Sequence, residues 1–204
     1  PTMMQQFVET IKVKNGKALA LAYHQARMER TIAHFFPALA LTAMPRLEEW
    51  VAPKADMDLF KARVVYGERG VEKVEYASYA MRPIRSLRVV CDDSIGYDYK
   101  SVDRSALNAL VTKRGNCDEI VIVKNGMVTD SSYTNLALYD GHEWLTPRRP
   151  LLLGTKRAFL LDQGLLKEAD LTLADLRRAQ RVSLFNAMID MGERVVEACD
   201  IAFE

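Results

Sequence analysis

The sequence predicts an α+β fold, and three observations lead there. Candidate strands and short helices are interleaved along all 204 residues. Two-residue turn signals at Asn15-Gly16, Asn125-Gly126 and Asp140-Gly141 mark hairpins. The regular strand–helix–strand alternation of a doubly wound parallel sheet is missing.

Each element follows in order. "FVETIKV" (7–13) alternates apolar and polar residues and meets Asn15-Gly16, and "ALALAY" (18–23) returns as the second arm of a β-hairpin. "HQARMERTIAHFF" (24–36) turns helical, because Ala26, Met28, Ile32 and Phe35 or Phe36 recur at steps of three and four. Pro45 opens a short helix in "RLEEWVA". "KARVVYG", "VEKVEYASYAM" and "RSLRVVC" read as strands, with a turn between Gly67 and Gly70. The composition then becomes polar in "DDSIGYDYK" (92–100). The expected division is therefore a small α+β domain over 1–92, a linker over 93–101 and a larger domain over 102–204. A helix follows in "DRSALNALVTKRG", with Ala106, Leu107, Leu110 and Val111 on one face and Gly115 as its cap. Residues 118–147 hold three expected strands. "LLLGTKRAFLLDQG" gives a strand end, a Gly-Thr entry and a helix stopped by Gly164. "RVSLFNAM" is a strand or strand-to-turn segment, and a strand around "ERVVEA" closes the chain.

Composition excludes several classes. Hydrophobic residues make up 49% and charged residues 27%, enough for a core and against disorder. The formal charge of +1 supplies no field for nucleic acid or a membrane surface. No apolar run reaches the ~18 residues of a membrane helix. "PTMMQQF" lacks a signal-peptide layout, and Pro1 ahead of two methionines reads as a processing remnant. Cys91, Cys117 and Cys199 lie far apart, which fits a reduced, cytoplasmic protein with each thiol as a small buried hydrophobe. Three separated histidines suggest no metal site, and no Ser-His-Asp order or nucleophile elbow is present.

Several polar residues could carry chemistry. In "GMVTDSSYTN", Asp130 lies in a stretch otherwise fit for burial. It reads as the wet side of an edge strand, or as a buried carboxylate served by Asn135, Thr134 and Ser132. Lys100 at the domain junction is a surface residue or, if desolvated in a cleft, a nucleophile and base. Gly154 and Thr155 at a helix start can receive an anion, and Asn186 and Ala187 offer backbone amides. Arg27 lies on a solvated helix face or forks onto a phosphate, while His24 at the start of that helix reads as structural.

This order of motifs resembles the fold-type IV (class IV) pyridoxal-phosphate enzymes: branched-chain and D-amino-acid aminotransferases and aminodeoxychorismate lyases. "FVETIKV" resembles their "FET(I/L)R" strand, and "HQARMERT" their "HxxRLxxS" helix. "YKSVDR" resembles the segment with the Schiff-base lysine. "DEIVIVKNGMVTDSSYTNLAL" resembles "DExLLxxxxGxVxExxxxNLF", "LLLGTKRAFLL" resembles "LPGITRxxLL", and "FNAM" resembles the lyases' "CNAL". The resemblance implies a two-domain architecture with pyridoxal 5'-phosphate at the domain interface, in a homodimer. It makes Lys100 the catalytic lysine and Asp130 the partner of the ring nitrogen. Asn135 and Thr134 accompany Asp130 in the cofactor site. Arg27, Gly154, Thr155, Lys156, Asn186 and Ala187 then serve the phosphate. The chain departs from the pattern with aspartate in place of glutamate at 130 and lysine in place of threonine at 156. It also lacks the segment before "FET" that ends in "YG", so the site is expected to be more open or walled by a partner subunit. Arg63, Arg82 and Arg85 are candidates for a substrate carboxylate; "YAMRP" echoes the "YIRP" of branched-chain aminotransferases. "FNAM" and "YKSVDR" favour a lyase that converts 4-amino-4-deoxychorismate to 4-aminobenzoate and pyruvate. An amino-acid aminotransferase and a non-catalytic cofactor-binding homologue are the alternatives.

Overall fold

The computed structural model describes residues 5–203, so the reading of Pro1 lies outside the described residues. The chain divides into two compact units, Pro1–Ala80 with Tyr99–Asp103, and Met81–Asp98 with Arg104–Glu204.

The first unit contains β1 (Phe7–Lys14), β2 (Lys17–Ala18), α1 (Leu21–Phe35), α2 (Pro37–Thr42), α3 (Leu47–Trp50), β3 (Leu59–Gly67) and β4 (Gly70–Ser78). The hairpin turns at Asn15 and Gly16, both at positive φ (50° and 75°), as a tight hairpin requires. Its second arm is only two residues long, and "ALALAY" runs out of it into α1, which takes its last three residues. Alanine and leucine are strong helix formers, and that stretch lacks the β-branched residues that pack well in a strand. The sheet runs β2-β1-β3-β4. On β1, Phe7, Ile11 and Val13 share one face and pack with Met28 and Ile32 of α1 in one core.

"RSLRVVC" does not belong to this unit. It forms β5 (Leu87–Cys91), which pairs in parallel with β6 (Glu119–Lys124) and so joins the second unit. A parallel partner is reached by a long crossover and announces itself by no turn signal. Residues 99–103, expected within and just after a linker, instead complete the first unit.

The second unit continues with α4 (Ser105–Val111), β7 (Met127–Val128), β8 (Asn135–Tyr139), β9 (Trp144–Pro147), α5 (Thr155–Asp162), β10 (Lys167–Ala169), α6 (Leu173–Arg178), β11 (Arg181–Phe185), β12 (Val195–Glu197) and β13 (Ile201–Ala202). Residues 118–147 thus hold four strands, not three, and β13 follows the strand expected to be last. One sheet runs β13-β5-β6-β7 and the other β10-β9-β8-β11-β12. The main core brings Leu87, Val89, Val121 and Val123 of the first sheet together with Leu136, Leu138, Val182 and Leu184 of the second. The opposite face of β5–β6 packs with Leu107 and Leu110 of α4, and the opposite face of β8–β11 packs with Leu160 of α5. "EIVIV" is therefore covered on both faces, which explains its unbroken apolar run. On α4, Ala106 is exposed, contrary to its expected place on the buried face. Cys91 and Cys199 are exposed and Cys117 is half-buried. Buried small hydrophobes they are not: Cys91 closes β5, Cys117 lies in the bend before β6, and Cys199 lies in the short 3-10 turn between β12 and β13.

Candidate active site

In the second unit the site is built from the link between β7 and β8. "TDSSYT" is not strand; it is an irregular segment in which Thr129, Asp130, Ser131, Ser132 and Thr134 are all buried. That overturns the edge-strand reading of Asp130. The segment satisfies its own polar groups. Thr129 Oγ1 donates to the Ile122 carbonyl at 2.8 Å, and Thr134 N–H donates to Ser131 Oγ at 2.9 Å. The hydroxyls of Ser131 and Thr134 meet at 2.6 Å. Ser132 Oγ donates to the buried Glu119 carboxylate at 2.9 Å, and Arg104 donates to the Ser132 carbonyl at 2.7 Å.

Asp130 is held by neutral donors. Leu152 N–H reaches Oδ2 at 3.0 Å, and Asn135 Nδ2 makes a long 3.4 Å contact to Oδ1. Burial pushes its pKa up from 3.8 to about 7, against the opposing pull of the Leu152, Asn135 and Leu151 donors and the charge of Arg157. Asn135 Nδ2 also donates to the Leu152 carbonyl at 2.9 Å, so one amide ties β8 to the irregular segment before α5, where a strand end was expected. Gly154 sits directly above it: a Cβ there would lie 2.0 Å from Asn135 Oδ1. Gly154 is also the N-cap of α5, so the cap residue supplies no side-chain hydrogen bond to the first helical amides, which include those of the buried Thr155 and of Lys156. Lys156 Nζ itself bonds Asp190 at 2.7 Å.

Asn186 is committed to the fold. Its Nδ2 donates to the Tyr133 carbonyl at 3.0 Å, its Oδ1 accepts from Met188 and Ile189 N–H, and its own N–H donates to the Ile189 carbonyl. It ties the Asp130 segment to the turn after β11, and among the pair singled out there only the Ala187 amide is left as the candidate phosphate donor. Arg82 stacks over the Tyr133 ring at 4.6 Å and lies 3.8 Å from Glu119. Arg85 is exposed. Arg157, two residues into α5, is buried and bonds the Pro147 carbonyl and Glu168.

In the first unit, Lys100 is pinned rather than loose. Val8 N–H donates to the Lys100 carbonyl and Val102 N–H to the Gln6 carbonyl, both at 3.0 Å. These bonds lay the segment along the edge of β1. Its neighbour Tyr99 stacks on His34 at 4.9 Å and meets Phe35 edge-on. Arg27 is buried, contrary to a solvated face, and its guanidinium forks onto Glu9 rather than standing apart for an anion. His24 Nδ1 also meets Glu9, at 2.7 Å. Burial lowers the pKa of His24, with the charges of Arg27 and Lys100 acting the same way and Glu9 opposing; its ring is neutral at neutral pH. Burial and then the Glu9 charge push the Tyr66 hydroxyl well above its ordinary range. Arg63 stands in β3 opposite Thr10 of β1 and Glu75 of β4.

Glu9, Glu119 and Arg157 were not singled out by the sequence reading. Glu9 had a usable signal, since a charge stood at a core-facing position of an alternating strand.

The geometry fits a pyridine cofactor on its own terms. A fully buried carboxylate with neutral donors is matched by a protonated ring nitrogen. A glycine-capped helix start of the same unit suits a phosphate; taken by itself, the Lys100 amine of the first unit suits an aldehyde. The amino-transferase class IV family model matches residues 6–193. The chain therefore belongs to the class IV aminotransferase family and is a pyridoxal-phosphate-dependent enzyme. An uncharacterized protein of Haemophilus influenzae is 36% identical over 188 residues, covering 91% of this chain and 98% of that protein. A crystal structure from Haemophilus somnus 129PT, provisionally named a 4-amino-4-deoxychorismate lyase, superposes with a TM-score of 0.81 at 29% identity over 93% of this chain and all of that one. One from Mesorhizobium loti, provisionally named an amino-acid aminotransferase, reaches 0.72 at 21% identity, covering 95% of this chain and 99% of that one, and shows the shared fold.

Proposed function

We propose that this enzyme converts 4-amino-4-deoxychorismate to 4-aminobenzoate and pyruvate. The likeness to the Haemophilus somnus structure over essentially its whole length carries the reading, supported by the lyase-like "FNAM" and "YKSVDR" segments. When bound, pyridoxal phosphate supplies an aldehyde to capture the substrate amine and a ring to accept the electrons released at the adjacent carbon.

The chain's own groups have these roles. Lys100 Nζ is the amine that carries the cofactor and the base that takes the substrate proton. The Asp130 carboxylate keeps the ring nitrogen protonated, with Asn135 and Leu152 N–H holding its oxygens in place. The amides of Thr155, Lys156 and Ala187, with Arg27, neutralise the phosphate. Of the two candidate arginines in that unit, Arg82, beside the Asp130 segment, is better placed than Arg85 to meet a substrate carboxylate. The family resemblance adds a homodimer, to be checked by sedimentation.

The test offers purified enzyme 4-amino-4-deoxychorismate with no oxo acid present. Release of 4-aminobenzoate together with pyruvate is expected. No product there, with turnover of amino-acid and oxo-acid pairs instead, would replace the lyase by an aminotransferase.

A further inference from the structure

We infer that Glu9 is a positioning residue: its carboxylate is the built-in counter-charge that holds Arg27 ready for the cofactor's phosphate, with His24 as a second donor that fixes the carboxylate itself. The inference rests on the functional reading above and gives a role to a buried charge which that reading leaves unused.

On β1, alternation puts Phe7, Glu9, Ile11 and Val13 on one face, and Glu9 is as completely buried as its apolar neighbours, at 0% exposure. On α1, His24 and Arg27 are three residues apart and so share a face. Arg27 Nε meets the two Glu9 oxygens at 3.2 and 2.9 Å, and Nη2 meets Oε1 at 2.7 Å. This two-point contact fixes the plane of the guanidinium as a single bond could not. Thr31 Oγ1 donates to the Arg27 carbonyl at 3.0 Å and steadies the same turn. His24, being neutral, donates its Nδ1–H to Glu9, which leaves Nε2 as the acceptor nitrogen. A strand and helix can be joined as well by apolar side chains, and a buried ion pair is seldom the more stable filling. What the pair adds is orientation. It keeps a guanidinium in one place within a core, charged and compensated, before any anion arrives.

Glu9→Gln separates this role from plain packing. The carboxamide keeps the shape but loses the charge and one acceptor, so Arg27 becomes a buried cation without its carboxylate. A bound phosphate would then replace the missing charge. Two effects compete, since the variant also loses orientation; the buried uncompensated charge is the larger. Cofactor-free Glu9→Gln should melt roughly 10 °C below the wild type. Pyridoxal 5'-phosphate or inorganic phosphate should recover most of that loss, and raise the variant's melting point more than the wild type's. Pyridoxal, which lacks the phosphate, should not. A loss of equal size with and without phosphate, or no loss, overturns the proposal.

Should the single variant fail to fold, Glu9→Gln/Arg27→Met removes both charges. It should fold without phosphate, and phosphate should raise its melting point by no more than it raises the wild type's; a double variant that fails to fold, or that phosphate stabilises more than the wild type, also overturns it. If the wild-type protein develops no visible band with pyridoxal 5'-phosphate, the functional reading falls and takes this role with it. A wild-type band with a phosphate-blind Glu9→Gln variant removes the role of Glu9 alone.

Discussion

Asp130 is a carboxylate kept from water and bonded by amides, and its titration is therefore a stability statement. Its ordinary pKa of 3.8 rises to about 7 in the fold, so the folded state prefers the protonated acid. Below 3.8 the group costs nothing. As pH climbs through the window from 3.8 to about 7 the unfolded chain ionises first, and the cofactor-free protein loses stability on the order of 4 kcal/mol, fully lost above that window. Asp130→Asn should flatten this dependence, making the cofactor-free variant relatively more stable at pH 8 than at pH 5 in thermal melts. On the proposed function the same variant should also bind cofactor worse, because the ring cation assigned to this carboxylate is then unmatched. Lys100 admits a simpler prediction: Lys100→Ala should keep the melting behaviour of the cofactor-free protein and lose roughly 10²–10⁴-fold in turnover. The type of each residue was legible in the sequence. That Asp130 is buried was not, because a polar run between two apolar strands reads equally as a wet edge. Asn135, five residues on, was a readable donor; only the fold shows Leu152 N–H arriving from a distant position to join it.

Among the elements, α5 and β8 meet where one side chain is missing. A methyl at Gly154 would have to displace Asn135 Oδ1, which it would approach to 2.0 Å. Gly154→Ala should therefore lose roughly 1–3 kcal/mol in urea denaturation and weaken cofactor binding together with it. β6 makes a different demand. Ile122 is fully buried in a strand with packing on both faces, and Ile122→Ala should cost roughly 2–5 kcal/mol, read from the urea midpoint. Elements with local signals were legible. The Asn15-Gly16 turn, the periodic face of α1 and the stop at Gly164 all act through near neighbours. Elements defined by distant partners were not: β5 finds β6 across a crossover, and β10 and β13 are short strands that exist only because another strand lies beside them.

Across the whole molecule, acid should act first on the first unit. Burial works against ionisation of Glu9, but the Arg27 charge and the bonds from His24 and Arg27 outweigh it and hold its pKa down to about 2, from 4.5. This stabilisation is present above 4.5 and is lost as pH falls toward 2. Melting curves between pH 5 and pH 2.5 should steepen for the wild type and not for Glu9→Gln. The two-unit organisation carries one more consequence. Residues 99–103, with Lys100, are stitched into the first unit, while the sequence on both sides of them belongs to the second. No single cut of the polypeptide can release either half intact: a fragment ending at position 80 would be deprived of its own lysine, and the remainder would carry that lysine without the strand it lies along. Split-protein designs and domain swaps with relatives would have to exchange two separate stretches at once.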